Sequence, residues 1–212
     1  MSSLQRASSL KSNSAWPEAD FIQLLRNSGK YKERSDKTHE NTHAPLLAQS
    51  PTTRIRCLLL GCSMLERFKT TGKHTKFGQV EFPDLLNAGV GGDRIQNIIY
   101  RLGIKGLYPR LKQHGVNFAI LQMGSNNLRP KRGLSAEAIE EYRLVLEALA
   151  RAAPGIVMLL TGILPRKDVD RSFIDQSNND LQRLIRDFND LREVVQGMLS
   201  QSSAFTHATL CS

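Results

Sequence analysis

Four short apolar runs, at 55–60, 84–88, 117–122 and 156–161, constrain this chain more than any other feature. Each is too short for a buried helix. Each is followed, after a turn, by apolar residues at helical spacing, which is the pattern of successive βα units. Helices are expected over 64 to about 70, 93–102, 135–152 and 174 to about 200. The alternation predicts an α/β fold, a doubly wound parallel sheet in three layers. Boundary residues add to this reading. Asp93 is placed to cap the second helix and Ser135 the third, while Ser172 and Asp175 have the spacing of a capping box for the last. Pro154-Gly155 stops the third helix before its strand. No internal repeat is visible.

A chain of 212 residues is long enough for one core and is expected to form one. Residues 1–53 are polar, rich in Ser, Lys, Asn and Thr and interrupted by Pro17, Pro45 and Pro51, so this segment is expected to be largely disordered. A short amphipathic helix at 17–26 is the exception, with acids in its first turn and Pro17 near its start. The folded domain is then 54–212. The net charge of +9 comes from Lys and Arg scattered along the chain, which reads as a solvated basic surface without a nucleic-acid recognition motif. Cys57, Cys62 and Cys211 lack metal-ligand spacing, so neither a metal, a cofactor nor a disulfide framework is expected. No apolar stretch approaches the roughly 20 residues of a membrane span, and the first residues lack the apolar core of a secretory signal. The Ser-rich start, with Arg6 and Lys11 and no acid, reads as a disordered tail. A soluble cytoplasmic protein is expected.

Three turns just beyond the apolar runs carry the chemistry: Gly61-Cys62-Ser63-Met64, Asn87-Ala88-Gly89-Val90-Gly91-Gly92-Asp93 and Gly124-Ser125-Asn126-Asn127. All three are expected at the carboxyl ends of neighbouring strands, where open α/β sheets bind ligands. A serine on a sharp strand-to-helix turn stands clear of the sheet. Gly91 and Gly92 let backbone N–H groups approach a ligand closely, and Asn126 adds a side-chain amide donor; together these can hold an oxyanion. Any one of these segments is ordinary turn chemistry. Their order and register point to an acyl-transfer site.

As a set these residues resemble the SGNH hydrolases, also called GDSL-type esterases and lipases, and the Gly-Gly-Asp loop is especially similar to that of platelet-activating-factor acetylhydrolase catalytic subunits. The resemblance covers about 54–200 and extends to Gly162-Ile163-Leu164-Pro165-Arg166, which is similar to a Leu-Pro-Arg stretch after the fourth strand of those enzymes. It implies a flavodoxin-like fold, a small ester substrate or acyl ligand, Ser63 as nucleophile, Gly92 as oxyanion N–H and Asn126 as oxyanion side chain, with Cys62, Gly91 and Asp93 supporting the loops.

Two departures stand out. The first block of that family reads Gly-Asp-Ser, and Cys62 occupies the aspartate position. The family's last block, Asp-x-x-His near the C-terminus, supplies the general base and the acid that orients it. The only late histidine, His207, has Ala204 three residues before it. The domain is therefore expected to be short at its C-terminal end, and a non-catalytic binding module is the alternative to an esterase.

Overall fold

The computed structural model describes residues 17–48, 54–75, 84–192 and 196–199. Five parallel strands, β1 (Cys57–Gly61), β2 (Leu85–Gly89), β3 (Phe118–Gln122), β4 (Val157–Thr161) and β5 (Gln196–Leu199), lie in the order β2-β1-β3-β4-β5. That is the flavodoxin-type order, and it gives the α/β fold expected of the sequence. Its switch point lies at β1, where the chain first goes to β2 on one side and then returns to β3 on the other.

Side chains alternate across the sheet as a period of two requires. Leu58, Leu60, Leu86, Ala88, Ala119 and Leu121 face the main core, while Leu59 and Ile120 face a smaller cluster with Leu65. Over the main core pack α5 (Ile95–Gly103), α6 (Leu107–His114), α7 (Ala136–Ala152) and α8 (Arg171–Arg192). The short α4 (Ser63–Glu66), continued by a 3-10 turn at Arg67–Lys69, covers the other face. Strand interiors read as unbroken apolar runs because both faces are covered.

The N-terminal segment differs from its expectation. Residues 17–48 are helical rather than largely disordered: α1 (Glu18–Ser28), α2 (Glu33–Thr38), a π-helical turn (His39–His43) and α3 (Ala44–Ala48). Phe21, Leu25 and Leu47 join the main core, each gaining roughly 1.5–3 kcal/mol on burial. The polar residues are spent along α5. Lys30 donates its N–H to Gln96, Asn97 Nδ2 donates to the Lys30 carbonyl at 2.9 Å, and the Tyr100 hydroxyl donates to Asp36 at 2.7 Å. Composition alone hides such an arm, because few of its residues are apolar and its partners lie some sixty residues away.

Other boundaries shift. Ser135 caps α7 as expected, its hydroxyl accepting from the Ala138 N–H at 3.2 Å. Asp93 does not cap α5, whose N-cap is Arg94. The last helix begins at Arg171, and Asp170 rather than Ser172 is its cap: the Asp170 carboxylate accepts from the Ser172 N–H at 2.8 Å, while Asp175 pairs with Arg171. That helix ends at Arg192, so β5 falls where helix was expected. The whole of α6 was missed. The Ser-rich start of the chain and His207 lie outside the described residues.

Candidate active site

Register brings the three turns to one place. Gly61 pairs across the sheet with Gly89 on one side and Gln122 on the other, so the segments that follow leave the same edge. Backbone bonds then tie them: the Cys62 N–H donates to the Gln122 carbonyl at 3.0 Å, and the Val90 N–H to the Gly61 carbonyl at 3.0 Å. Gly61 is required by close approach, since a Cβ there would come within 1.9 Å of the Gln122 oxygen. The Cys62 carbonyl accepts from Leu65 and Glu66, which makes Ser63 the first residue of α4. Ser63 is partly exposed.

The second turn places Gly92 in the left-handed region, φ 72°, exposed to solvent. Asn126, partly exposed in the third, donates through Nδ2 to the Asp93 carbonyl at 2.9 Å. Asn127 accepts the Ile95 N–H at 3.1 Å and so serves the first turn of α5, the task expected of Asp93. Second and third turns are thus hydrogen-bonded to each other, and the first is bonded to both strands beside it.

Asp93 itself turns inward and is fully buried. Its Oδ2 accepts from Ser35 Oγ at 2.8 Å and from Arg101 Nη2 at 3.0 Å, and its Oδ1 faces Lys32 Nζ at 3.1 Å. Arg101, also fully buried, spends Nη1 on the Ala88 carbonyl at 2.8 Å, and Lys32 Nζ also reaches the Gly91 carbonyl at 2.7 Å. The glycine loop is therefore fastened from below by Arg101 and from outside by the N-terminal arm. Lys32, Ser35 and Arg101 escaped sequence reasoning. Only Arg101 left a signal, a charge among Ile95, Ile98, Ile99 and Leu102 on a helix otherwise apolar at those positions.

Cys62 is buried, and its thiol donates to Gln122 Oε1 at 2.8 Å. Burial pushes the thiol's pKa up, outweighing the Met64 N–H and the Ser63 hydroxyl that would steady a thiolate, so the residue is an inert thiol rather than a nucleophile. Gln122 Nε2 and the Tyr142 hydroxyl are buried without a partner among the described residues. A carboxylate at position 62 would meet the Gln122 side-chain amide N–H after a flip of that amide. Cys62→Asp is accordingly expected to raise the melting temperature by a few degrees or to raise residual esterase activity; a clear loss of both would count against this account of the slot.

Among the described residues no hydrogen bond joins a histidine to Ser63. His114 lies at the other end of the sheet, its Nδ1 accepting from the Ile55 N–H at 3.2 Å and its Nε2 within 3.2 Å of the Leu47 carbonyl. Asp36 and His39 do have Asp-x-x-His spacing, but Asp36 is spent on Tyr100 and Lys105, and His39 is buried beside Lys105 at the far end of α5. Burial lowers the His39 pKa to about 4 and the His43 pKa to about 2, helped in both cases by Arg101. Among the described residues no cluster of three or more His, Cys, Asp or Glu could hold a metal ion.

No family model matches the chain, and no curated protein matches it either. Solved structures do. The chain is similar to a candidate acylhydrolase from Bacteroides fragilis, at 15% identity over 79% of this chain and 78% of that one, with a TM-score of 0.50. It is also similar to a mutant acetyl esterase solved with an acetate ion, at 14% identity over 68% and 78% of the two chains and a TM-score of 0.47. A candidate platelet activating factor protein from Streptococcus pneumoniae shares 19% identity over 86% and 80%, with a TM-score of 0.45. At such identities the likeness shows the α/β fold, and the chemistry must come from the residues.

Proposed function

We propose that this chain is an SGNH-type ester hydrolase in which Ser63 attacks the acyl carbon and the Gly92 N–H and the Asn126 amide hold the oxyanion. One observation carries the reading: the three segments that bear these residues leave the ends of β2, β1 and β3 in register and are hydrogen-bonded together. Attack would convert the ester into a seryl acyl-enzyme and release the alcohol, and water would then free the acid. Gly92 is exposed and Ser63 and Asn126 are partly so, which leaves a small ester or acyl ligand access to all three. Among the described residues no helix is long and apolar enough to cross a membrane.

Slow turnover is expected, because His207 follows Ala204 rather than an acid at the motif position. A serine held beside an oxyanion hole can still attack an activated ester without a general base, only slowly. Short 4-nitrophenyl esters should therefore be hydrolysed slowly, with activity lost in Ser63→Ala and kept in His207→Ala. Activity that survives Ser63→Ala would overturn the assignment. Loss in His207→Ala, with folding intact by circular dichroism, would make His207 the base and the protein a full esterase. The same absence of an acid before His207 supports the second reading, a non-catalytic module that cradles an acyl or carboxylate group on the same donors; saturable binding of acetate with no Ser63-dependent hydrolysis would favour it.

A further inference from the structure

We infer that the site takes an ester carrying a negative charge close to the scissile bond, selected by a cationic rim that the fold assembles from residues scattered in sequence. This rests on the esterase reading above and names its substrate class. Arg94 directly follows the glycine loop after β2, and it is exposed. Beyond β3, two residues after Asn127, the chain makes a tight turn closed by reciprocal backbone bonds between Arg129 and Arg132, 3.0 and 3.1 Å, with Lys131 at its tip; all three side chains are exposed. After β4, Arg166 donates from Nη1 to the Ser125 carbonyl at 2.5 Å, which draws the exposed Lys167 to the same edge. The ends of β2, β3 and β4 thus contribute cations to the sheet edge that bears Ser63, Gly92 and Asn126.

The carboxylates at this edge offset only part of this charge: Glu141, hydrogen-bonded to Gln96, the partner of Asn127, and its neighbour Glu137 stand near the start of α7. Asp93 is buried on Arg101, Glu66 is paired with Arg34 at 2.9 Å, and Asp168 is held by Arg166. Asp170 lies beside the Arg129 turn, its N–H directed at the Pro130 carbonyl; its carboxylate accepts from Ser172 at the start of α8 and keeps its charge, offsetting one cation of the turn. No ion pair joins Arg94, Arg129, Lys131, Arg132 or Lys167 to an acid among the described residues. A low-dielectric cleft edged by one sign of charge concentrates ligands of the other sign, and the effect weakens with salt over a Debye length of about 10 Å at 0.1 M. The basic excess read from composition as a plain solvated surface is therefore partly gathered at the mouth of the site.

The test compares 4-nitrophenyl acetate, which is neutral, with mono-4-nitrophenyl succinate, which carries a carboxylate on its acyl group. With the full chain at low salt, kcat/KM for the succinate ester should exceed that for the acetate ester. The ratio should fall about ten-fold in Arg129→Gln/Lys131→Gln/Arg132→Gln and fall likewise in 0.5 M salt. Neutralising Arg110 and Lys112, on α6 toward the opposite end of the sheet, should leave it unchanged. A ratio near one, or a ratio blind to the rim variant, overturns the inference while leaving the esterase reading standing. Titration calorimetry with succinate supplies the arm that needs no turnover. Binding by the wild type, lost in the rim variant, with neither ester hydrolysed, would support the rim and refute the esterase; no binding and no hydrolysis would refute both.

Discussion

Asp93→Ala is expected to cost the folded state about 3–5 kcal/mol, because it strands the Arg101 guanidinium inside the protein with only the Ala88 carbonyl for company. Burial lowers the Arg101 pKa, but a guanidinium is not deprotonated in proteins, so the charge stays. The same substitution removes the Lys32 and Ser35 contacts to the carboxylate, leaving Lys32 only its bond to the Gly91 carbonyl, so the glycine loop is loosened from inside and outside. For a domain of this size the melting temperature should fall by roughly 10 °C. The double variant Asp93→Ala/Arg101→Met should recover part of the loss, since it removes the stranded charge while keeping the volume. Thermal denaturation of the two variants measures both effects. A drop under about 2 °C in the single variant, or a double variant less stable than the single, would show that the buried pair does not hold the loop.

Acid is the second strong lever, and its sign follows from the arm. In the unfolded chain His39 and His43 take up protons near pH 6.5, whereas in the fold they do so only near pH 4 and pH 2. Their lowered values favour the folded state at neutral pH, and that stability is lost as the pH falls below about 6.5, at about 1.4 kcal/mol per pH unit for each proton. Glu141 on α7 works the other way. Burial raises its pKa to about 7, so its contribution is present at acid pH and is lost as pH rises from about 4.5 to 7. Two histidines against one glutamate leave a net of about one proton between pH 5 and 6, so stability should fall by about 1.4 kcal/mol across that unit. Glu141→Gln should roughly double the slope. Urea unfolding at pH 7, 6 and 5 reads it directly; a wild type as stable at pH 5 as at pH 6 would contradict the burial of the pair.

What was legible in the sequence, and what was not, divides by the range of the interactions. The strands at Leu58-Leu59-Leu60 and Ala119-Ile120-Leu121 announce themselves because parallel strands covered on both faces are apolar throughout. The turns after them are visible because small residues are needed where β1, β2 and β3 end side by side, Gly61 most of all. Helix α6 was hidden by Gly103, Gly106 and Pro109, residue types that break a helical pattern; in the structure Gly106 takes a φ of 74° just ahead of the helix. The arm was hidden because its helices are fixed by distant polar partners, Lys30 to Gln96 and Asp36 to Tyr100, which leave no local period. Asp93 was misread for a related reason: an acid just before a helix usually caps it, but here Arg101, two turns further on, draws the carboxylate inward.

The central claim is that Ser63 is the acyl acceptor, and mass spectrometry of the intact chain after incubation with 4-nitrophenyl acetate tests it most directly. If the acyl-enzyme forms faster than it is hydrolysed, a single acetyl group should accumulate and map to the peptide containing Ser63. It should be absent from Ser63→Ala. Acetylation spread over surface lysines, equal in the two proteins and missing from Ser63, would contradict the account.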